Sequence, residues 1–216
     1  KTSISTAVLD SLYLANQSNS FIKSGKQYKT VDFEEEKNRI STNFRNNGVY
    51  FFQPNYVTFD IDTIKKGPKA NINLIINNYS YQDQDSTKTE PFKIYKISDV
   101  NIYTDYSSTN NYTVTDSVTY NKFNLYSQKK LKYKPQAITN AIFITKGALF
   151  ADYKTILTTR YLNNLKIFNY PSVQYEVDKR DSTAQSLIAK IYLTPRKKYS
   201  FGTTLDVTHS NIQDFG

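Results

Sequence analysis

Ile144-Thr145-Lys146-Gly147-Ala148-Leu149-Phe150 repeats a pattern found in Ile22-Lys23-Ser24-Gly25-Lys26-Gln27-Tyr28, about 120 residues earlier: an apolar residue, then lysine and glycine, then an aromatic residue. Each stretch is followed by an amphipathic run and by two segments in which apolar and polar residues alternate. A repeat of this length indicates a small domain used in tandem. No catalytic residue type is repeated, which favours a binding or scaffolding role.

Alternation with a period of two predicts strands, and two such runs joined by a short turn predict a hairpin. Strands are predicted on this basis for residues 2–9, 57–62, 71–77, 92–103, 172–178 and 187–193. Each unit therefore reads as strand, helix, helix, strand, strand.

In the first unit, a weak helix is predicted for residues 10–22, closed by Gly25, because glycine readily takes the left-handed conformation at a helix end. The next helix is predicted to begin with Thr30 as its N-cap and to end at Asn47-Gly48. Glutamates 34–36 suit the positive start of this helix.

In the second unit, Pro135 is predicted to start a short helix that ends at Gly147, and Asp152 is predicted to cap the next helix. Between the units, residues 79–90 are polar and are predicted to form a linker or exposed loop.

The composition excludes several kinds of site. Among the 216 residues there is no cysteine, so disulfides and thiolate metal sites are excluded. The net charge of +9 makes nucleic acid, an anionic membrane surface and acidic proteins the candidate partners. Lysine and arginine cluster at residues 129–134 and 196–198, although such runs are also typical of a solvated face.

No catalytic constellation is found. His209, the one histidine, lies in the last few residues, outside both predicted cores, which argues against a Ser–His nucleophile. Asp60 and Asp62 are spaced like calcium ligands, but the glycine and glutamate of a calcium loop do not follow. The chain has 19 tyrosines and 13 phenylalanines, but they do not form the aromatic-rich ribonucleoprotein motif, so nucleic-acid binding is not predicted. We predict no enzyme activity and no cofactor.

Recognition through an exposed strand remains. A sheet of three strands has open edges unless another segment covers them. An open edge accepts an extended segment of a partner through backbone hydrogen bonds. The lysines and aspartates on these strands also allow the opposite interpretation, in which they block such pairing.

The order strand, helix, helix, strand, strand resembles that of a POTRA (polypeptide-transport-associated) domain. Residues 23–28 and 146–150 resemble its landmark of an apolar residue, a glycine and an aromatic residue, and residues 46–52 and 162–168 resemble the end of its second helix. Residues 194–202 are similar to the passage from the last POTRA domain into the first barrel strand of the BamA/TamA family.

Within that family, the sequence of residues 36–40 together with that of residues 46–50 is most similar to the sequences of the TamA-like lipoproteins (TamL) of Bacteroidetes. The resemblance implies an α+β fold with two tandem POTRA-like βααββ domains and the start of a β-barrel strand at the C-terminus. The implied boundaries are residues 1–90, residues 91–196 and a linker with the barrel strand at residues 197–216.

The resemblance further implies a scaffold on the periplasmic face of the outer membrane of a Gram-negative bacterium, near the inner leaflet of that membrane. Its implied partners are unfolded outer-membrane proteins or a translocation partner protein. The family places the middle strand of each unit at a sheet edge. The implied partner-binding residues are Val57, Thr58, Phe59, Asp60, Ile61, Val173, Gln174, Tyr175, Glu176 and Val177.

Residues 105–133 depart from the family's pattern. This insertion is rich in Ser, Thr, Asn and Tyr, and its pieces at residues 114–119 and 123–126 predict an extra hairpin or an ordered loop. It either covers a sheet edge or contacts a partner, which leaves the binding edge of the second unit undecided. The alternative function is a periplasmic or surface module that binds glycan or a folded protein through this insertion.

Overall fold

The computed structural model describes residues 1–64, 69–107 and 112–196. The first unit contains the strands and helices β1 (Thr2–Ile4), α1 (Ala7–Ala15), α2 (Thr30–Asn46), β2 (Val57–Asp62) and β3 (Asn71–Ile76). Its sheet has the order β1-β3-β2, in which β1 is parallel and β2 antiparallel to the central β3.

The helices of the first unit share one core with its sheet. Leu9 of α1 and Ile40 and Phe44 of α2 are buried together with Val57 and Ile76 of the strands. Ile40 and Phe44 are four residues apart and therefore lie on one helix face. The predicted amphipathic pattern of α2 thus identifies its buried side.

The first helix ends much earlier than the sequence predicts. α1 stops at Ala15, and Gly25 lies in a later turn with a φ of +72°. The residues after Ala15 are polar, and the Asn19 side chain donates to Asn16 Oδ1 at 2.8 Å. Asparagine side chains that bond locally compete with the helix backbone, which explains the early end. At the start of α2, the N-cap is Lys29 and not Thr30.

The polar segment between the units is not a loop. It forms a separate hairpin of β4 (Tyr79–Asp83) and β5 (Ser86–Glu90). The Tyr79 ring stacks on Phe51, with ring centroids 5.1 Å apart, and Tyr81 stacks on Tyr79. These aromatic contacts hold the hairpin although its other residues are mostly exposed, so composition alone predicted a linker.

The second unit is built on a five-stranded sheet. Its strands are β6 (Lys96–Tyr103), β7 (Asp116–Tyr120), β8 (Phe123–Ser127), β9 (Phe168–Val177) and β10 (Ser186–Pro195), in the order β7-β8-β6-β10-β9. β10 is parallel to β6 and antiparallel to β9. The insertion supplies β7 and β8, and β8 pairs in parallel with β6.

Two helices, α3 (Pro135–Thr139) and α4 (Asp152–Asn164), cover the second sheet. Leu162 of α4 and Ile138 of α3 share one core with Leu187, Ala189 and Ile191, which alternate inward along β10. α3 ends before Gly147, whose φ of +87° places it in a later turn.

Asp152 is the first residue of α4 and not its cap, since Ala151 occupies the N-cap position. The α+β class and the tandem βααββ arrangement are confirmed. In the part of the chain that the structure describes, no helix is long and apolar enough to cross a bilayer. Residues 65–68 between β2 and β3, the predicted barrel strand within residues 197–216 and His209 lie outside the described residues.

Candidate functional site

The predicted partner-binding segments both lie at sheet edges. Residues 57–61 belong to β2 and residues 173–177 to β9, and each strand pairs on one side only within the described residues. The last strand of the first unit, β3, is central in its sheet, and the last strand of the second unit, β10, lies between β6 and β9. That these residues bind a partner stays a prediction.

β2 presents a mixed surface along its open edge. Val57 is buried and Phe59 half-buried, whereas Thr58 and Asp60 face solvent. Ile61, which lies on the same face of the strand as Val57 and Phe59, is 39 % exposed. The strand therefore combines an unpaired backbone with an accessible apolar side chain.

An aromatic row flanks the inner side of β2. The Phe59 ring lies 4.9 Å from the ring of Phe33 on α2, and Phe33 lies 5.3 Å from Tyr28. Tyr28 and the neighbouring Val31 are partly exposed, at 37 % and 54 %. Accessible apolar and aromatic side chains thus lie beside β2.

β9 is interrupted by a bulge near its start. Thr194 of β10 faces Asn169, whereas Tyr192 faces Ser172, so Tyr170 and Pro171 together oppose a single residue. Proline has no N–H to offer a partner strand. The open edge of β9 that can accept a strand is therefore residues 172–177.

Two side chains of this edge, those of Tyr175 and Glu176, already interact with neighbouring residues of the second unit. Glu176 pairs with Lys190 across the sheet, and the Tyr175 hydroxyl lies 2.6 Å from Thr155 Oγ1. The Tyr175 ring packs on Phe150 with centroids 5.1 Å apart, and burial raises the pKa of its phenol to about 12. Tyr175 thus offers its backbone, but not its side chain, to a partner.

The two units meet where α2 ends and α4 begins. The Arg45 guanidinium donates to both carboxylate oxygens of Asp152, and Arg45 Nη1 donates to the Tyr50 carbonyl at 2.6 Å. Asn46 Oδ1 accepts the Tyr153 N–H at 3.0 Å and so caps a helix of the other unit. Sequence reasoning missed this junction, because Arg45 and Asp152 are 107 residues apart and no local pattern connects them.

A glycine allows the close approach at this junction. The Gly48 carbonyl accepts the Tyr95 N–H at 2.9 Å, and a Cβ at position 48 would lie 2.7 Å from Ile94 Cγ2. Its φ of +97° also favours glycine. The sequence predicted Gly48 as a helix stop, which is correct, but not as a contact between the units.

Glu36 is a second residue whose role the sequence did not indicate. It is fully buried, forms an ion pair with Arg39 and accepts hydrogen bonds from Ser20 Oγ and the Phe21 N–H, both at 3.0 Å. Burial alone would raise the pKa of its carboxyl, but these hydrogen bonds and the Arg39 charge outweigh burial and lower it. Glu36 anchors the connection between α1 and α2 and is not simply part of a charged helix start.

The insertion covers the β6 side of the second sheet and leaves β9 open. Phe123 and Leu125 of β8 are buried in the core, so the insertion is part of the domain. Its tyrosines are occupied as well. Tyr126, Tyr103 and Tyr192 stack in register across three strands, with neighbouring ring centroids 5.4 and 5.0 Å apart.

Asp105 fastens the start of the insertion to its end. Its carboxylate accepts hydrogen bonds from the Tyr112 hydroxyl at 2.9 Å, from Ser127 Oγ and from the Gln128 N–H. The tyrosine rings therefore stabilise the insertion on the sheet. Tyr126 is half-buried and not fully buried, and binding of glycan or a folded protein through the insertion stays a prediction.

The fold of this chain is similar to that of a solved structure, although its sequence has no significant match. No family model matches the chain, and no curated protein matches it significantly. Among solved structures, it is similar to BamA from Haemophilus ducreyi lacking POTRA domains 1–3, with a TM-score of 0.57 and 12 % identity over 91 % of this chain and 28 % of that one.

Two further structures match with low TM-scores. BamA POTRA domains 3–5 from Haemophilus influenzae match at 0.32, with 10 % identity over 89 % of this chain and 94 % of that one. The N-terminal domain of Omp85 from the cyanobacterium Thermosynechococcus elongatus matches at 0.29, with 9 % identity over 92 % and 97 %. The chain spans just over a quarter of the length of the first BamA structure, and the similarity to that structure shows that it has a tandem POTRA fold.

Proposed function

We propose that the chain is a non-enzymatic scaffold on the periplasmic side of the outer membrane, in a protein that assembles or translocates outer-membrane β-barrels. It binds extended segments of unfolded outer-membrane proteins, or of a partner subunit, by adding them to a sheet edge. The observation that carries this proposal is that β2 and β9 occupy equivalent open edges in two repeated sheets. The domain boundaries at residues 90 and 196, a barrel strand within residues 197–216 and a closer relation to the TamA-like lipoproteins of Bacteroidetes belong to the same proposal.

The edge of β2 is the better candidate for apolar clients. Ile61 is accessible there, and the aromatic row of Tyr28, Phe33 and Phe59 lies beside it. The edge of β9 instead exposes Gln174 and Glu176. It suits a partner that is held mainly by backbone hydrogen bonds.

The test is an NMR titration of the ¹⁵N-labelled chain with a synthetic peptide of alternating aromatic and polar residues, the pattern of a transmembrane barrel strand. Amide shifts are expected in β2, and more weakly in residues 172–177. A peptide of the same length with several pairs of adjacent prolines serves as the control, because adjacent prolines remove N–H donors from both of its edges. Shifts confined to residues 112–127 would overturn the proposal and favour the alternative interface.

A further inference from the structure

A lysine strap crosses the end of the second unit at which β10 leaves the sheet. Within the strap, residues 129–134, the four lysines 129, 130, 132 and 134 are exposed. Leu131 and Tyr133, which lie between them, pack against the core. The anchored residues therefore hold the charged ones on the outer side of the strap.

Two hydrogen bonds to carboxylates fix the backbone of the strap. The Leu131 N–H donates to Asp116 Oδ2 at 2.9 Å, and the Lys129 N–H donates to Asp105 Oδ2 at 3.3 Å. The Asp116 carboxylate thus accepts from a backbone N–H, and the Asp105 carboxylate accepts from backbone N–H groups and from the hydroxyls of Tyr112 and Ser127. Within residues 1–64, 69–107 and 112–196, no ion pair engages any of the four lysine side chains.

The same end of the unit carries two further cations. The Tyr133 ring lies 5.1 Å from the ring of Phe168, the first residue of β9. Arg196 donates from its backbone N–H to the Ile167 carbonyl and from Nε to the Phe168 carbonyl, at 2.9 and 3.0 Å. Lys166 precedes them and is exposed. The strap, the start of β9 and the end of β10 therefore share one basic surface.

One aromatic side chain projects from this surface. Tyr170 is 94 % exposed and lies at the β9 bulge with a φ of +45°, a conformation that tyrosine rarely adopts. A bulge redirects side chains, and the next residue, Pro171, is buried. Ile167, two residues before Asn169, is also partly exposed, at 38 %.

We propose that this end of the second unit docks onto an anionic bilayer. The strap and Lys166 attract the phosphate headgroups, and Tyr170 enters the boundary between headgroups and acyl chains, where tyrosine is favoured. Charge complementarity identifies the occupant: lysines act as point charges toward a diffuse anionic surface and lack the two-pronged geometry that arginine offers to carboxylates. The surface is separate from both sheet edges, so this proposal does not rest on strand addition.

The test is sedimentation of the full chain with vesicles of phosphatidylcholine containing about one third phosphatidylglycerol, compared with phosphatidylcholine alone. Binding is expected to the anionic vesicles alone and to weaken with added salt. Lys129→Gln, Lys130→Gln, Lys132→Gln and Lys134→Gln together are expected to weaken partitioning about tenfold or more. The matched control changes four exposed lysines elsewhere: Lys23→Gln, Lys26→Gln, Lys69→Gln and Lys179→Gln.

Equal losses in the two quadruple variants would overturn the proposal, since they would report net charge alone. Because the chain has no tryptophan, Tyr170→Trp provides a single fluorescent reporter. A blue shift of the emission with anionic vesicles is expected. An unchanged emission spectrum would show that the side chain at position 170 does not enter the bilayer. Absence of vesicle binding together with binding to polyglutamate or to an oligonucleotide would also overturn the proposal. None of these outcomes affects the interpretation of the peptide titration of β2, which tests strand addition separately.

Discussion

Arg45 and Asp152 lie 107 residues apart and join the two units through a two-pronged ion pair, with Arg45 Nε 3.0 Å from one carboxylate oxygen and Nη2 2.9 Å from the other. The guanidinium also lies 5.5 Å from the centre of the Phe150 ring. Hydrogen bonds to Asp152 raise the pKa of Arg45 despite its burial, so the guanidinium stays charged at neutral pH. The junction is therefore held by directional contacts as well as by apolar packing.

Arg45→Lys is expected to lower the free energy of unfolding by about 1–2 kcal/mol, because lysine keeps the charge but cannot make both carboxylate bonds and the carbonyl bond together. Urea denaturation measures this loss, and small-angle scattering detects a wider spread of angles between the units. Arg160→Lys, at an exposed position, is the control and is expected to change neither. Unchanged stability and scattering in Arg45→Lys would contradict a role in fixing the junction.

Gly48→Ala is expected to destabilise the chain by about 2–4 kcal/mol, since it combines left-handed strain with the contact to Ile94. Gly25→Ala shares the positive φ but meets no atom within 4 Å. It is expected to lose about 1–2 kcal/mol. Thermal and urea unfolding of the two variants separate the cost of the contact with Ile94 from the cost of the left-handed backbone. Equal losses of unfolding free energy in the two variants would show that the close approach at Gly48 is unimportant.

Glu36→Gln is expected to reduce stability at pH 7 by about 3 kcal/mol, because it removes one partner of a buried ion pair. The lowered pKa of Glu36 sets the sign of the pH dependence. Its contribution is complete above the unfolded-state pKa of about 4.3 and is lost as the pH falls through the lower folded-state pKa. The stability difference between the wild type and the variant should therefore shrink in acid.

Urea titrations at a series of pH values measure this difference. Glu35→Gln, an exposed neighbour, is the matched control and is expected to change stability by less than about 0.5 kcal/mol at every pH. If the curves of the wild type and of Glu36→Gln run parallel down to the acid transition, the buried carboxylate does not contribute as we describe.

Ile61→Lys is expected to weaken binding of the alternating peptide about fivefold or more, because it replaces an apolar contact by a charge at the edge of β2. Val118→Lys is the matched control: Val118 is 36 % exposed on β7, the other edge of the second sheet, compared with 39 % for Ile61. Fluorescence anisotropy of a labelled peptide measures both. A loss of affinity in Val118→Lys but not in Ile61→Lys would move the binding site to the insertion.

The sequence predicted the parts of the fold that local patterns determine. Alternation located β2, β3 and β10, and the spacing of Ile40 and Phe44 located α2, because each pattern follows from burial of a single face. The resemblance to POTRA domains supplied the edge positions of β2 and β9. Pattern alone gives a strand its boundaries but not its neighbours.

The missed features depend on contacts between residues distant in the chain. The β4–β5 hairpin is held by Tyr79 stacking on Phe51, and Glu36 is buried by a loop that contains Ser20. The parallel pairing of β8 with β6 brings Asn124 next to Asn101. No local periodicity reports such pairings, so the insertion could be predicted as structured but could not be placed in the sheet.

The contacts of Arg45 and Asn46 between the units have a consequence for how long a client must be. If β2 and β9 cannot reorient relative to one another, the span between the two docking edges is constant. A polypeptide that bridges this span engages the second edge at a high effective concentration and gains avidity, whereas a shorter one occupies a single edge and gains none. The junction between the units would then make the affinity for a client depend on the length of that client.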